Sequence, residues 1–155
     1  GAGYTAVLCG DVPLLRAETI ERLVRTTVEG AAGASVLTAL AEDATGYGRI
    51  LRDEHGHVTA IVEEKDASDE ERRVREINSG LYVFSAAHLF DALSKVSADN
   101  AQGEYYLTDT LEILRRAGRR VAAYRCDDPR EVLGVNDPDQ LREAERVLAQ
   151  RVRTA

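Results

Sequence analysis

Tyr4-Thr5-Ala6-Val7-Leu8-Cys9-Gly10-Asp11-Val12-Pro13 is a short apolar run that stops at a turn. Continuous apolar residues ended by Gly, Asp and Pro mark a strand buried on both faces, the usual state of a parallel strand. The strand is expected over 4–9. Downstream, Ile20, Leu23, Val24 and Val28 recur at helical spacing with Glu and Arg between them, until Gly30 and Gly33 break the pattern. A second apolar run over 35–40 follows. Strand, helix, strand predicts a βαβ unit of a parallel sheet, and so an α/β fold.

After Leu40 the texture changes. Residues 48–52 and 57–63 read as two strands joined at Asp53-Glu54-His55-Gly56, a hairpin turn with Gly where positive φ is expected. A charge-dense stretch over 64–75 reads as a solvated loop or short helix without chemistry, and a strand over 77–84 follows it. His88, Leu89, Leu93 and Val96 predict a helix, and 107–117 another, stopped by Gly118. Short strands are expected over 120–126 and 131–135. Asp137 can cap the closing helix, Pro138 can open it and Gln140 can support its start; Leu141, Ala144, Val147 and Leu148 give it one apolar face. No repeat or linker intervenes, so residues 1–155 read as one unit. An open α/β sheet usually binds phosphate through a glycine-rich first turn leading into a helix. Here Gly1-Ala2-Gly3 runs straight into a strand, and the sequence is expected to start in the middle of a fold.

Of 155 residues 44% are apolar, enough for one domain with a real core. Acids exceed bases 27 to 20, and the resulting net charge of −7 argues against nucleic acid as the main partner. A small phosphorylated substrate remains compatible, given a metal ion or a few local cations. No apolar run approaches the roughly 18–20 residues of a membrane span, and no secretory signal is visible. Cys9 and Cys126 lie in apolar stretches without metal or redox spacing and read as reduced core thiols. A cytoplasmic protein without a membrane partner is expected.

Asp11 falls directly after the first strand, where sheet ligands bind, and its hard oxygens suit Mg²⁺; an Asp capping a strand-to-helix turn would look the same. Around Tyr47, Gly46 and Gly48 let backbone approach a ligand closely, as in any tight loop. The run Ile61-Val62-Glu63-Glu64-Lys65-Asp66 ends a strand in charge; a carboxylate there could accept hydrogen bonds from sugar hydroxyls. Asn78 sits in an otherwise apolar strand, so backbone or ligand must satisfy its amide. Asn136, before the final helix, has the features of a turn residue. Asn100-Ala101-Gln102-Gly103-Glu104-Tyr105-Tyr106-Leu107-Thr108-Asp109 combines amides, a carboxylate, hydroxyls and two aromatic faces, a composition suited to a sugar. Thr108 or Asp109 could instead cap the helix that follows. No zinc cluster stands out, and no nucleophile has a plausible base nearby in sequence.

Taken in order, GDVPLL, TGYGRI, IVEEKD, EINSGLYVF, NAQGEYYLTD and EVLGVND resemble the uridylyltransferase domain of bacterial bifunctional N-acetylglucosamine-1-phosphate uridylyltransferase/glucosamine-1-phosphate acetyltransferase. The match runs from Val7 to about the final helix. It implies a Rossmann-like α/β nucleotidyltransferase fold with a mixed sheet, whose N-terminal nucleotide-binding part is missing here. It also implies Asp11 and Asn136 as ligands of Mg²⁺, with Cys9 and Gly10 beside the nucleotide; the family often has Tyr or Ser where Cys9 stands. Gly48, Glu63 and Asn78 would hold N-acetylglucosamine 1-phosphate, and Tyr106 and Thr108 would close over it. The partners implied are UTP and that sugar phosphate, in a pathway of cell-wall precursors. Nothing resembles the hexapeptide repeats of the acetyltransferase half, through which a homo-oligomer would form. This chain alone is expected to be inactive. A transferase for another sugar phosphate and a non-catalytic sugar-phosphate module remain alternatives.

Overall fold

The computed structural model describes residues 3–100 and 102–154. Gly1 and Ala2, on which the absence of a phosphate loop was read, lie outside the described residues, as does Ala101 of NAQGEYYLTD.

The architecture grows around one strand, β5 (Glu76–Ser85), which alternates its side chains between two apolar layers. Ile77, Leu81 and Val83 join one core cluster, and Tyr82 and Phe84 join the other. Because both faces are covered, residues 81–84 read in sequence as an unbroken apolar run. β2 (Ala34–Leu40) lies antiparallel along one edge of β5, and β6 (Val121–Arg125) pairs parallel with β2. The other edge is shared. β3 (Arg49–Arg52) meets the start of β5, with Arg49 opposite Ile77, while β1 (Tyr4–Val7) runs antiparallel to its end, Tyr4 opposite Ser85. β4 (Val58–Val62) pairs only with β3, giving the order β4-β3-β5-β2-β6 with β1 attached to β5. The sheet is mixed, as the resemblance implied.

α1 (Ala17–Glu29) covers one face, seating Leu23 with Leu37, Ala39 and Leu81. α2 (Ala86–Leu93) and α3 (Asp109–Arg116) cover the other, where Leu89, Ala92, Leu111 and Leu114 pack against Val36, Ile50 and Phe84. Each such fully buried side chain is worth about 1.5–3 kcal/mol of transfer free energy. α4 (Pro138–Thr154) attaches through a smaller cluster of Ala144 and Val147 with Leu14 and Val135. It begins as its sequence predicts: Asp137 Oδ1 accepts the amides of Asp139 at 2.9 Å and Gln140 at 2.8 Å. The Gln140 side chain returns to the Asn136 amide at 2.6 Å. The hairpin turn is also as expected, with Gly56 at φ +80°.

Two expectations are corrected. β1 is not a buried parallel strand; it ends at Val7, pairs only with β5 and alternates between exposed and half-buried. β1 and β2 do run in the same direction, but β5 lies between them, antiparallel to both. An apolar run reports burial, not the identity of its neighbours. The strand expected over 131–135 is absent: Pro129–Val132 forms a 3-10 turn instead. Pro129 lacks an amide for a ladder, Asp128 Oδ1 caps the turn by accepting the Arg130 amide at 3.1 Å, and buried Glu131 turns inward.

Candidate functional site

The loop after β1 and the segment before α4 meet although 125 positions separate Asp11 from Asn136. The Val135 amide donates to the Asp11 carbonyl at 2.8 Å, bringing the two segments into register. Their side chains converge on Gly134. A Cβ there would stand 3.3 Å from Asp11 Oδ2 and 3.4 Å from the Asn136 side-chain amide. The Asp11 carboxylate and the Asn136 side chain make no hydrogen bond among the described residues, so neither serves as the cap or turn contact that each could have been. A cavity of about 320 Å³ opens above them, lined by Cys9, Asp11, Thr45, Tyr47, Ser79 and Asn136. An exposed carboxylate and carboxamide side by side, with no hydrogen-bond partner among the described residues, carry hard oxygens of the kind that suit Mg²⁺. No cluster of three or more His, Cys, Asp or Glu able to hold a metal occurs among the described residues. A metal held by Asp11 and Asn136 would therefore take its other ligands from substrate and water.

Cys9 leads from this corner inward. Its thiol donates to the Gly80 carbonyl at 3.5 Å, and burial, with Asp11 adding to it, pushes its pKa up, so it stays a thiol rather than a nucleophile. Gly10 is exposed, with open space where a Cβ would go. Gly80 sits mid-strand at φ +77°, beside the register shift between Val36 and Thr38 on β2. Its amide donates to Asn78 Oδ1 at 3.0 Å, and the Tyr82 hydroxyl donates to the same oxygen at 3.0 Å. Asn78, Gly80 and Tyr82 share one face of β5, and burial pushes the Tyr82 phenol well up, fixing it as a donor. The Asn78 carbonyl oxygen is thus satisfied from within the strand, and its NH₂ remains for something else.

Across from Asn78 lies the end of β4. The Asn78 amide donates to the Gly48 carbonyl at 2.8 Å. A Cβ on Gly48 would be 3.1 Å from Glu63 Oε2 and 3.4 Å from Asn78 Cβ. Gly48, Glu63 and Asn78, singled out separately in sequence, therefore form one cluster. Thr108 joins it: its buried hydroxyl donates to Glu63 Oε1 at 3.2 Å and provides no side-chain cap for α3. The capping alternative for Thr108 is thereby set aside. A capping hydroxyl would be spent on local amides, whereas this one is spent on a carboxylate 45 positions away. Burial pushes the Glu63 carboxyl above its ordinary value, against the opposing bond from Thr108, with Asp66 and Asp109 adding to the rise. Tyr106 stands at the rim, half-buried, its hydroxyl accepting from Gln102, which in turn accepts from Lys65. Asn100 folds the rest of that loop by accepting the amides of Gln102 at 3.1 Å and Glu104 at 3.2 Å.

Sequence reasoning missed Tyr82, Gly80 and Ser79. The first two were legible: a glycine inside a strand, flanked at two-residue spacing by Asn and Tyr, marks one polar stripe on an apolar element. A larger cleft, about 570 Å³, lies elsewhere, between the start of α1, the end of β6 and α4. Its arginines already meet carboxylates: Arg16 lies 3.7 Å from Glu131, and Arg151 3.5 Å from Asp128. Glu131 also accepts the Arg16 amide at 3.1 Å and the Thr19 hydroxyl at 2.6 Å. That cleft holds α1, the 3-10 turn and α4 together.

Fold and sequence together define the class. Residues 1–129 match the Nucleotidyl transferase family, and this chain belongs to it. The fold agrees: a Bacillus anthracis protein described as a glucose-1-phosphate thymidylyltransferase, crystallised with a sucrose, superposes with a TM-score of 0.68 at 18% identity, over 95% of this chain and 55% of that one. More particularly, the chain is 52% identical over 150 residues to the bifunctional protein GlmU of Geobacillus thermodenitrificans, covering 97% of this chain and 33% of that protein. It is 53% identical to GlmU of Bacillus subtilis with the same coverage, and 54% identical to GlmU of Corynebacterium aurimucosum, of which it covers 31%. The chain spans about a third of the length of these relatives. No described helix is long and apolar enough to cross a membrane.

Proposed function

We propose that this chain forms the metal- and sugar-binding part of an enzyme that transfers UMP from UTP to N-acetylglucosamine 1-phosphate, yielding UDP-N-acetylglucosamine and pyrophosphate. The observation that carries the reading is continuity. Asp11 and Asn136 converge at Gly134, and Cys9, Gly80 and Asn78 lead from there to Gly48 and Glu63. A phosphate at one end and a sugar at the other would be bound by a single continuous wall.

Asp11 and Asn136 would hold Mg²⁺, which, when bound, supplies charge neutralisation for the phosphates. Cys9 and Gly10 leave an open, uncharged floor beside Asp11, suited to the nucleotide. Glu63 and the free NH₂ of Asn78 hold the sugar through its hydroxyl and acetamido groups, with the Gly48 backbone close against it. Thr108 fixes the Glu63 carboxylate, and Tyr106 covers the ring. A phosphate oxygen of the sugar phosphate attacks the α-phosphorus of UTP; the new P–O bond forms as the bond to the departing pyrophosphate breaks. That oxygen is anionic at neutral pH, so the chain needs no general base. Its work is positioning and charge balance.

The test is a chimaera in which this chain replaces the matching third of the Bacillus subtilis GlmU relative. With UTP and Mg²⁺, it should release pyrophosphate with N-acetylglucosamine 1-phosphate and discriminate strongly against glucose 1-phosphate and glucosamine 1-phosphate. A site built to pair with a substituent is left unpaired by a ligand that lacks it. Equal kcat/KM for glucose 1-phosphate would replace the N-acetylglucosamine assignment with another sugar.

A further inference from the structure

Arg49 is the least expected residue in the core. A guanidinium is almost never fully buried, yet Arg49 is 2% exposed. It opens β3, with its backbone between Val62 of β4 and Ile77 of β5. Its side chain donates to the Tyr47 carbonyl and meets Glu64 Oε2 at 2.7 Å. The same Glu64 oxygen accepts the Gly46 amide at 3.2 Å. One ion pair therefore grips the backbone at Gly46 and Tyr47, the two residues just before Gly48, and its carboxylate end is the sequence neighbour of Glu63.

We propose that Arg49 is a positioning residue of the sugar site, stapling the loop over 46–48 to the end of β4 and so setting the gap between Gly48, Glu63 and Asn78. The inference rests on the sugar-binding reading of that cluster and deepens it. Stability alone does not account for this side chain. Its Nε is buried without a hydrogen-bond partner among the described residues, and apolar residues often replace buried ion pairs without loss. What an apolar residue cannot do is hold a carbonyl and a carboxylate on two segments at a fixed separation, as a planar fork does. The gap has little tolerance, since a single added Cβ on Gly48 would approach Glu63 Oε2 to 3.1 Å. The two adjacent carboxylates carry the division of labour. Arg49 holds Glu64 below its ordinary pKa, whereas burial pushes Glu63 up. Glu64 is the paired anchor, and Glu63 is the group left for ligand.

The experiment is an amide NMR titration of the ¹⁵N-labelled 155-residue chain with N-acetylglucosamine 1-phosphate. Wild type should show saturable shifts at Gly48, Glu63 and Asn78. Arg49→Gln should weaken the sugar phosphate roughly tenfold, the scale of one displaced polar contact. Arg49→Lys should recover part of that loss, because its ammonium can still reach Glu64. Glu64→Gln, on a side chain that is 28% exposed, reads the same staple from its other end. It should weaken binding similarly, and the double variant should add little. Leu89→Ala, in the core beneath α2, should lower Tm without changing Kd. Unchanged affinity in folded Glu64→Gln or Arg49→Lys and Arg49→Gln overturns the proposal. So does an affinity loss that merely follows Tm across all variants, Leu89→Ala included. Absence of shifts at Gly48, Glu63 and Asn78 in wild type defeats the sugar reading itself, before any substitution is made.

Discussion

The two ends of the candidate site are built on opposite plans. At Gly134 the Asp11 and Asn136 side chains lie side by side and make no hydrogen bond among the described residues. At Gly48 every polar atom but a few is engaged: Asn78 Oδ1 accepts twice, Thr108 holds Glu63, and Arg49 and Glu64 brace the loop. A site for a small, strongly hydrated cation is completed by its ligands, because Mg²⁺ arrives with water and phosphate oxygens of its own. A site that must tell one sugar from another is finished beforehand, because selectivity comes from fixed partners that a wrong ligand leaves unpaired. On the proposed function, the open end would handle charge and the braced end would choose the substrate.

Substitutions at the two ends should separate along that line. The largest effect belongs to Asp11. In the Bacillus subtilis chimaera, Asp11→Ala should lower kcat by roughly 100-fold or more, since a metal ligand acts on charge that develops in the transition state. KM for the sugar phosphate should change little. A pure KM effect would place Asp11 outside the chemistry.

The two glycines give a matched pair of smaller changes. Gly48→Ala would put a methyl 3.1 Å from Glu63 Oε2, and should weaken sugar-phosphate use by about 1–3 kcal/mol while leaving the Mg²⁺ requirement alone. Gly134→Ala would put one 3.3 Å from Asp11 Oδ2. It should raise the Mg²⁺ concentration needed for half-maximal rate and spare the sugar KM. Steady-state kinetics at varied metal and varied sugar phosphate checks both. If each glycine moved both parameters equally, the site would not divide as described.

The smallest effect is on stability. The folded pKa of Glu63 lies above its unfolded value, near 4.5. Its contribution is therefore fully present below that value and is lost as pH rises through the raised folded one. Glu63→Gln should remove this penalty, giving a slightly higher Tm at neutral pH and no difference at pH 4, while weakening sugar binding. Glu64 behaves oppositely: Arg49 lowers its pKa, so its contribution is present above about pH 4.5 and fades as pH falls through the lower folded value. Glu64→Gln should lower Tm at neutral pH. Thermal melts across pH 3–8 separate the two, and the same sign for both substitutions would contradict the assignment of Glu63 to ligand and Glu64 to scaffold.

What the sequence conveyed follows from what periodicity can encode. The helices, the 53–57 hairpin turn and β5 were legible because each is set by local spacing and local turn residues. The place of β1 was not, since an apolar run does not say that β5, over 70 positions later, will lie between it and β2. Residues 131–135 misled because Val132 and Val135 resemble a strand, while Pro129 and the pull of Glu131 toward α1 decide otherwise. At the site, Asp11, Gly48, Glu63, Asn78, Thr108 and Asn136 were all named in advance, most of them through a resemblance rather than through their own chemistry. Thr108 shows why local reading falls short: a threonine before a helix is a cap until a distant carboxylate claims it. Arg49 lay unread inside TGYGRI, because nothing in a sequence marks an arginine as buried.

The division between an open metal end and a braced sugar end is tested most directly by adding Mn²⁺ to the ¹⁵N-labelled chain saturated with N-acetylglucosamine 1-phosphate. The paramagnetic ion should broaden the amides of Gly10, Asp11, Gly134 and Asn136 first, and Gly48 and Glu63 later and less; Asp11→Ala should abolish the early broadening. Broadening centred instead on Glu63 or on the Asp127, Asp128 and Glu131 cluster, or unaffected by Asp11→Ala, would contradict the account.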